Sequence, residues 1–161
     1  MPAATKFNIF VEHLTNKVHD LFGVDGSGTN PADSLKLYLS NATPNISTHT
    51  VKADIAEIAT GNGYAGPIAV QNSGSRSGGT FTLTGVSFTI TASGGTIPSD
   101  AGTGGRFRYF ILFNDTPTNP ADPLILYWDY GSSIYLNAGE SFTVKFNGAA
   151  VGSAGTIFTL S

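Results

Sequence analysis

Residues 106–115 read RFRYFILFND, and no helical period fits them. Phe107, Tyr109, Ile111 and Phe113 fall on one face of an extended chain, Phe110 and Leu112 on the other, because successive side chains of a strand alternate across the pleat. Apolar side chains on both faces predict a central strand covered on both sides. This makes the chain a sheet protein with more than one layer.

After this stretch a proline-rich connection (NDTPTNPADP, residues 114–123) leads into LILYWDY at 124–130. FTVKF (142–146) and TIFTL (156–160) follow as strands joined through NGAAVGSAG. Upstream, TFTLTGVSFTIT (80–91) turns Phe81 and Leu83 inward on odd positions and Val86, Phe88 and Ile90 on even ones. A bulge at Gly85 would reconcile the two halves. Leu35, Leu37 and Leu39 alternate through SLKLYLS, Ile68 and Val70 suggest a short strand, and DIAEIAT (54–60) fits either a helical turn or extended chain. The Gly- and Ser-rich stretches GNGYAGP (61–67), QNSGSRSGG (71–79) and 93–105 are expected to be loops. About seven or eight strands in all predict a mainly β domain, a β-sandwich or jelly roll.

One segment carries the other period. Between residues 5 and 22, Phe7, Phe10, Val11, Leu14, Val18, Leu21 and Phe22 recur at i, i+3, i+4, i+7 and onward, predicting an amphipathic helix capped at Gly23. It is expected to cover its own sheet, with the short arm Met1 to Lys6 reaching outward. Residues 24–33 (VDGSGTNPAD) are expected to form a loop. The whole chain of 161 residues fits one domain, residues 1–22 being arm and helix and 34–161 the sandwich.

Composition narrows the partners. Charged residues are 12% of the chain against 40% hydrophobic, and Gly, Ser, Thr and Asn supply roughly two-fifths, so the surface is hydroxyl-rich and nearly uncharged. Eight Lys and Arg with a net charge of −3 are too few to track a phosphate backbone, which argues against nucleic acid. Lys6, Glu12 and His13 interrupt the N-terminal apolar residues, so no secretory leader is expected, nor a membrane span. The absence of cysteine removes thiolate chemistry and cysteine zinc sites.

The residues that could suggest catalysis all have structural explanations. His13 and His19 lie six apart on the predicted helix and would face different sides, while His49 stands elsewhere, so no histidine pair holds a metal. There is no Gly-x-Ser-x-Gly elbow. Asp115 and Asp122 sit among prolines, where Asp caps turns; they, Asp129 and Glu140 are the only candidates for a glycosidase-like pair. The calcium-like DGSG at Asp25 has Lys36 where a bidentate glutamate belongs. Tyr127, Trp128, Tyr130 and Tyr135 cluster in sequence and could stack on sugars, although strand alternation must bury some of them. Seven of nine positions match between NPADSLKLY (30–38) and NPADPLILY (119–127), the same turn-into-strand chemistry used twice.

Three stretches, KFNIFVEHLTNKVHDL (6–21), DIAEIATGNGYAG (54–66) and RYFILFNDTPTNPADPLILYWDYGSSIYLNAGESFTVKF (108–146), resemble a family of small virion structural proteins encoded by tailed bacteriophages and prophages. The most specific part is FRYFILFNDTP with PADPLI and DYGSS after it. The resemblance implies a capsid decoration or cement protein, made in the host cytoplasm, which binds the major capsid protein as a homo-oligomer on the capsid surface and needs no cofactor, metal or catalytic residue. A tail, connector or fibre component, the last recognising glycans, is the alternative. The side chains expected to make contacts are Met1, Pro2, Lys6, Arg76, Arg106, Trp128 and Tyr130.

Overall fold

A computed structural model describes residues 3–22 and 32–161; Met1, Pro2, the expected cap Gly23 and most of the 24–33 loop lie outside the described residues. Among those described, the order is β1 (Ala4–Lys6), α1 (Ile9–Thr15), β2 (Leu35–Ser40), β3 (Ile68–Ala69), β4 (Ser73–Ser77), β5 (Thr80–Val86), β6 (Phe88–Thr91), β7 (Phe107–Asn114), β8 (Leu124–Ile134), β9 (Ser141–Val144) and β10 (Ala154–Leu160). All pairings are antiparallel. They form a five-stranded sheet β1-β8-β7-β2-β3, a three-stranded sheet β10-β5-β4 and a two-stranded sheet β6-β9.

β7 is the middle strand of the large sheet, as its double-sided apolar pattern requires. Phe110 and Leu112 join Leu83, Ile90, Val144 and Ile157 from the smaller sheets in the main core. Tyr109, Ile111 and Phe113 enter a second cluster on the other face with Phe7, Tyr38 and Ile55. The protein is therefore a mainly β sandwich. Phe107 corrects the simple alternation: a register shift between Phe107 and Tyr109 turns it into the main core beside Phe110. Arg108 at the shift grips Asp129 of β8 through two bonds, Nε to Oδ1 at 2.6 Å and Nη2 to Oδ2 at 2.8 Å. That fork holds the Asp129 carboxyl below its usual range.

The N-terminal periodicity overstates the helix. Only Ile9–Thr15 is helical; Ala4–Lys6 pairs with β8 instead of reaching outward. Lys17 takes a positive φ of 58° and reverses the chain. The physical reason is that Phe7 and Phe10 are buried on opposite faces of the large sheet, which one continuous helix face cannot achieve.

Two further expectations change. The switch in inward residues falls at Ser87, between β5 and β6, where the chain passes from one small sheet to the other. Gly85 itself points inward, and a Cβ there would lie 2.8 Å from Ile157 Cδ1; the bulge is on the partner strand, between Thr156 and Phe158. Residues 73–77, expected as loop, are the edge strand β4, paired with β5 across a Gly78-Gly79 turn, so among the described residues nine strands follow the helix instead of seven or eight. Within 93–105, Ile97 is buried and exchanges both backbone bonds with Leu136. The repeated NPAD-x-L-x-L-Y motifs feed β2 and β8, which enter at the same end of β7 on either side, Leu35 opposite Asn114 and Leu124 opposite Phe113.

Beyond the two residues of β3, the open side of β2 is closed by a side chain. Leu39 donates its N–H to Tyr64 Oη at 3.1 Å and accepts from the Ile58 N–H at 3.0 Å. Tyr64 in turn donates to Glu57 Oε1 at 2.6 Å, and Glu57 pairs with Lys52 at 2.9 Å. Burial first, then the Glu57 carboxylate, pushes the Tyr64 phenol up. Tyr64→Phe keeps the ring but strands the buried Leu39 N–H, and the expected loss is about 1–3 kcal/mol of unfolding free energy. Urea denaturation checks it: a variant as stable as the parent would show that Tyr64 does not close this edge.

Candidate interaction surface

The sandwich has open edges, and two of them lie side by side. β1 ends the five-stranded sheet and β10 the three-stranded one. Between them run two hollows of about 320 and 230 Å³ that share Ala4, Phe158 and Thr159, so they are parts of one shallow groove. Such a length suits an extended chain better than a compact ligand, which needs a concave site enclosing most of its surface. Trp128 and Phe146 line one end, Phe10, Leu126 and Leu160 the other.

β10 itself reads AGTIFTL. Of the devices that keep an edge strand from pairing, it has no charge and no proline, and carries a single bulge at Ile157. The cations at the groove are Lys6 and Lys145, and neither belongs to the ion pairs found among the described residues. The arrangement can take up a strand and favour an acidic flank. Among the described residues no group of three His, Asp or Glu stands close enough to hold a metal ion, and no helix is long and apolar enough to cross a membrane.

Of the residues expected to make contacts, Lys6 and Trp128 are brought together at this groove. Trp128 is only 4% exposed and packs on Phe146 at 5.8 Å, so it is floor and not an exposed anchor. Tyr130 is exposed, its ring edge-on to Phe142 at 5.4 Å. Arg106 lies elsewhere, stacked over Tyr135 at 4.3 Å and donating to the carbonyls of Ala101 and Gly105. Arg76 stands on edge strand β4, over the Phe22 ring at 3.8 Å. Met1 and Pro2 lie outside the described residues. The four clustered aromatics do not form one platform, since Tyr127 packs on Phe7 and Tyr109 on the face opposite Trp128.

β10 was absent from the expected contacts, although its signal was present in the sequence: a strand with no charged residue or proline. The Arg108–Asp129 fork left no signal, because its two residues meet only through a register shift. No protein-family model, no curated protein and no solved structure matches this chain.

Proposed function

We propose that the chain is a non-enzymatic structural subunit of a tailed-phage virion, a capsid decoration protein that binds the major capsid protein as a homo-oligomer. The observation that carries this reading is the β10 edge beside β1, free of charge and proline, a surface that presents backbone donors and acceptors for strand addition. The rest of the surface supports it. Threonine and serine pair across the exposed face of β6-β9, Thr89 with Thr143 at 3.2 Å and Thr91 with Ser141 at 2.8 Å, which gives solubility without reactive groups. The sequence resemblance to small virion proteins points the same way. Symmetric repetition on a shell would supply avidity that one small groove lacks.

The test is a charge placed on the edge. Thr159 is exposed and lines both hollows, so Thr159→Lys should change folding stability by no more than about 0.5 kcal/mol while blunting strand addition. Occupancy on purified particles, read by gel densitometry against the major capsid protein, should fall at least roughly tenfold, the result of losing about 1.4 kcal/mol per contact. Wild-type copy number comparable with the shell protein supports decoration. A stoichiometry of a few rings per particle assigns the chain to the tail or connector, and undiminished occupancy of the variant removes β10 as the docking edge.

A further inference from the structure

Away from the groove floor, three polar side chains are buried together at the end of β7. His13 and His19 are each 7% exposed and Asn114 is fully buried. Sequence spacing on a continuous helix would part the two histidines. Because α1 stops at Thr15 and the chain reverses at Lys17, with Val18 N–H returning to His13 O at 2.9 Å, the imidazoles instead meet edge-on at 5.6 Å. The His19 ring also lies 5.3 Å from that of Phe10.

The protons can be placed from the hydrogen bonds. Asn114 Oδ1 accepts the Thr116 N–H at 3.1 Å, and Nδ2 donates to Asp33 Oδ2 at 2.6 Å, which fixes the amide's orientation. Its second N–H is left facing His19 Nδ1 at 3.0 Å. Two donors cannot share that contact, so Nδ1 holds a lone pair and the ring proton is on Nε2. Among the described residues, neither His19 Nε2 nor His13 Nδ1 has a hydrogen-bond partner. Protonating His19 would set N–H against N–H and put a charge beside the other imidazole.

The charged groups around the pair do not favour that charge enough. From α1, Glu12 attracts a proton to His13, but burial outweighs it and the His13 pKa is lowered. Asp20 follows on the same segment. Asp33, leading into β2, reaches His19 only through Asn114 and accepts the Asp20 N–H at 2.7 Å. Beside Asn114, Asp115 is engaged by Lys36 at 2.6 Å. From β10 the neighbour of Phe10 is the uncharged Phe158 ring at 5.6 Å. Burial first and His13 second bring His19 from 6.5 down to about 4.

We propose that the His13–His19 pair is an acid-release latch for residues 10–22, seating this segment on the sandwich while neutral and lifting it when protonated. Release would withdraw Phe10, which lines the groove and packs on Phe158, so the same event opens the groove at the end lined by Leu126 and Leu160. The folded pKa lies below that of the free ring. The lifted form therefore holds more protons, and the seated form is fully favoured above about pH 6.5 and weakens as pH falls toward about 4. From about pH 7 to about pH 4.5, the opening equilibrium for this segment should rise roughly 100-fold.

Amide hydrogen exchange on the full chain, corrected for intrinsic rates, reads this directly. Residues 10–22 should lose roughly 100-fold protection over that interval while β7 and β8 keep theirs, and the His19 C–H resonances should titrate well below the free-imidazole value. His19→Gln supplies an acceptor for Asn114 that does not titrate and should flatten the response. Should that variant fail to fold, His13→Gln, which removes the second imidazole, should raise the His19 midpoint. Protection that is unchanged with pH in the parent overturns the latch, as does a loss that persists undiminished in His19→Gln, since the carboxylates would then be its cause.

Discussion

Phe110→Ala lowers the free energy of unfolding by about 3–5 kcal/mol, the range for deleting a fully buried aromatic whose site cannot collapse. Phe110 is 1% exposed at the middle of the central strand. Its ring stacks on Phe142 of β9 at 5.0 Å and meets Phe107 edge-on at 5.9 Å, so it joins the large sheet to the smallest one. The void cannot be filled from below, because the neighbours on β2 and β8, Leu39 and Trp128, are held by their own ladders and the strand's other face is already packed with Tyr109 and Ile111. Urea unfolding followed through Trp128, the single tryptophan, gives the midpoint, and an unaltered slope would show that the loss lies in the native state. A loss below about 1 kcal/mol would mean that the sheets do not pack through this ring.

What the sequence disclosed and what it concealed follow one rule. β7 was legible because both of its faces are apolar, and β2 because its leucines alternate. Phe107 defeated the same reading: the register shift that turns it inward is held by Arg108 and Asp129, twenty-one positions apart. β4 was invisible because SGSRS has no apolar member; backbone pairing to β5 and the stacking of Arg76 on Phe22 hold it. Residues 5–22 misled because periodicity records which residues are apolar and not which layer receives them, and here Phe7 and Phe10 go to different layers. The histidine pair depended on that error. With the helix broken at Lys17, the two rings that spacing would separate become neighbours. The groove was half legible, since AGTIFTL shows a strand without charge or proline but gives no hint that β1 lies beside it.

Gly63→Ala should cost about 3 kcal/mol or more, the sum of left-handed backbone strain and a steric term. Asn62 and Gly63, at φ 53° and 101°, form the two-residue turn between Gly61 and Tyr64, which exchange both backbone bonds at 2.7 and 2.9 Å. This is the Asn-Gly hairpin turn that requires positive φ at both central residues. A Cβ on Gly63 would also lie 2.2 Å from the Thr91 carbonyl oxygen, a backbone atom that cannot swing aside. The turn is fixed to that loop by the Ser93 N–H to Asn62 O at 2.7 Å and by Asn62 Nδ2 to Thr96 O at 2.9 Å. Displacing it would drag Tyr64 from Leu39 and so open the edge of β2 as well. Gly78→Ala separates the two terms: φ there is +55° with nothing within 4 Å of the added carbon, so strain alone should cost about 1–2 kcal/mol. Equal losses in the two variants would show that the turn does not press on β6, and the excess in Gly63→Ala measures how firmly the corner is wedged between the sheets.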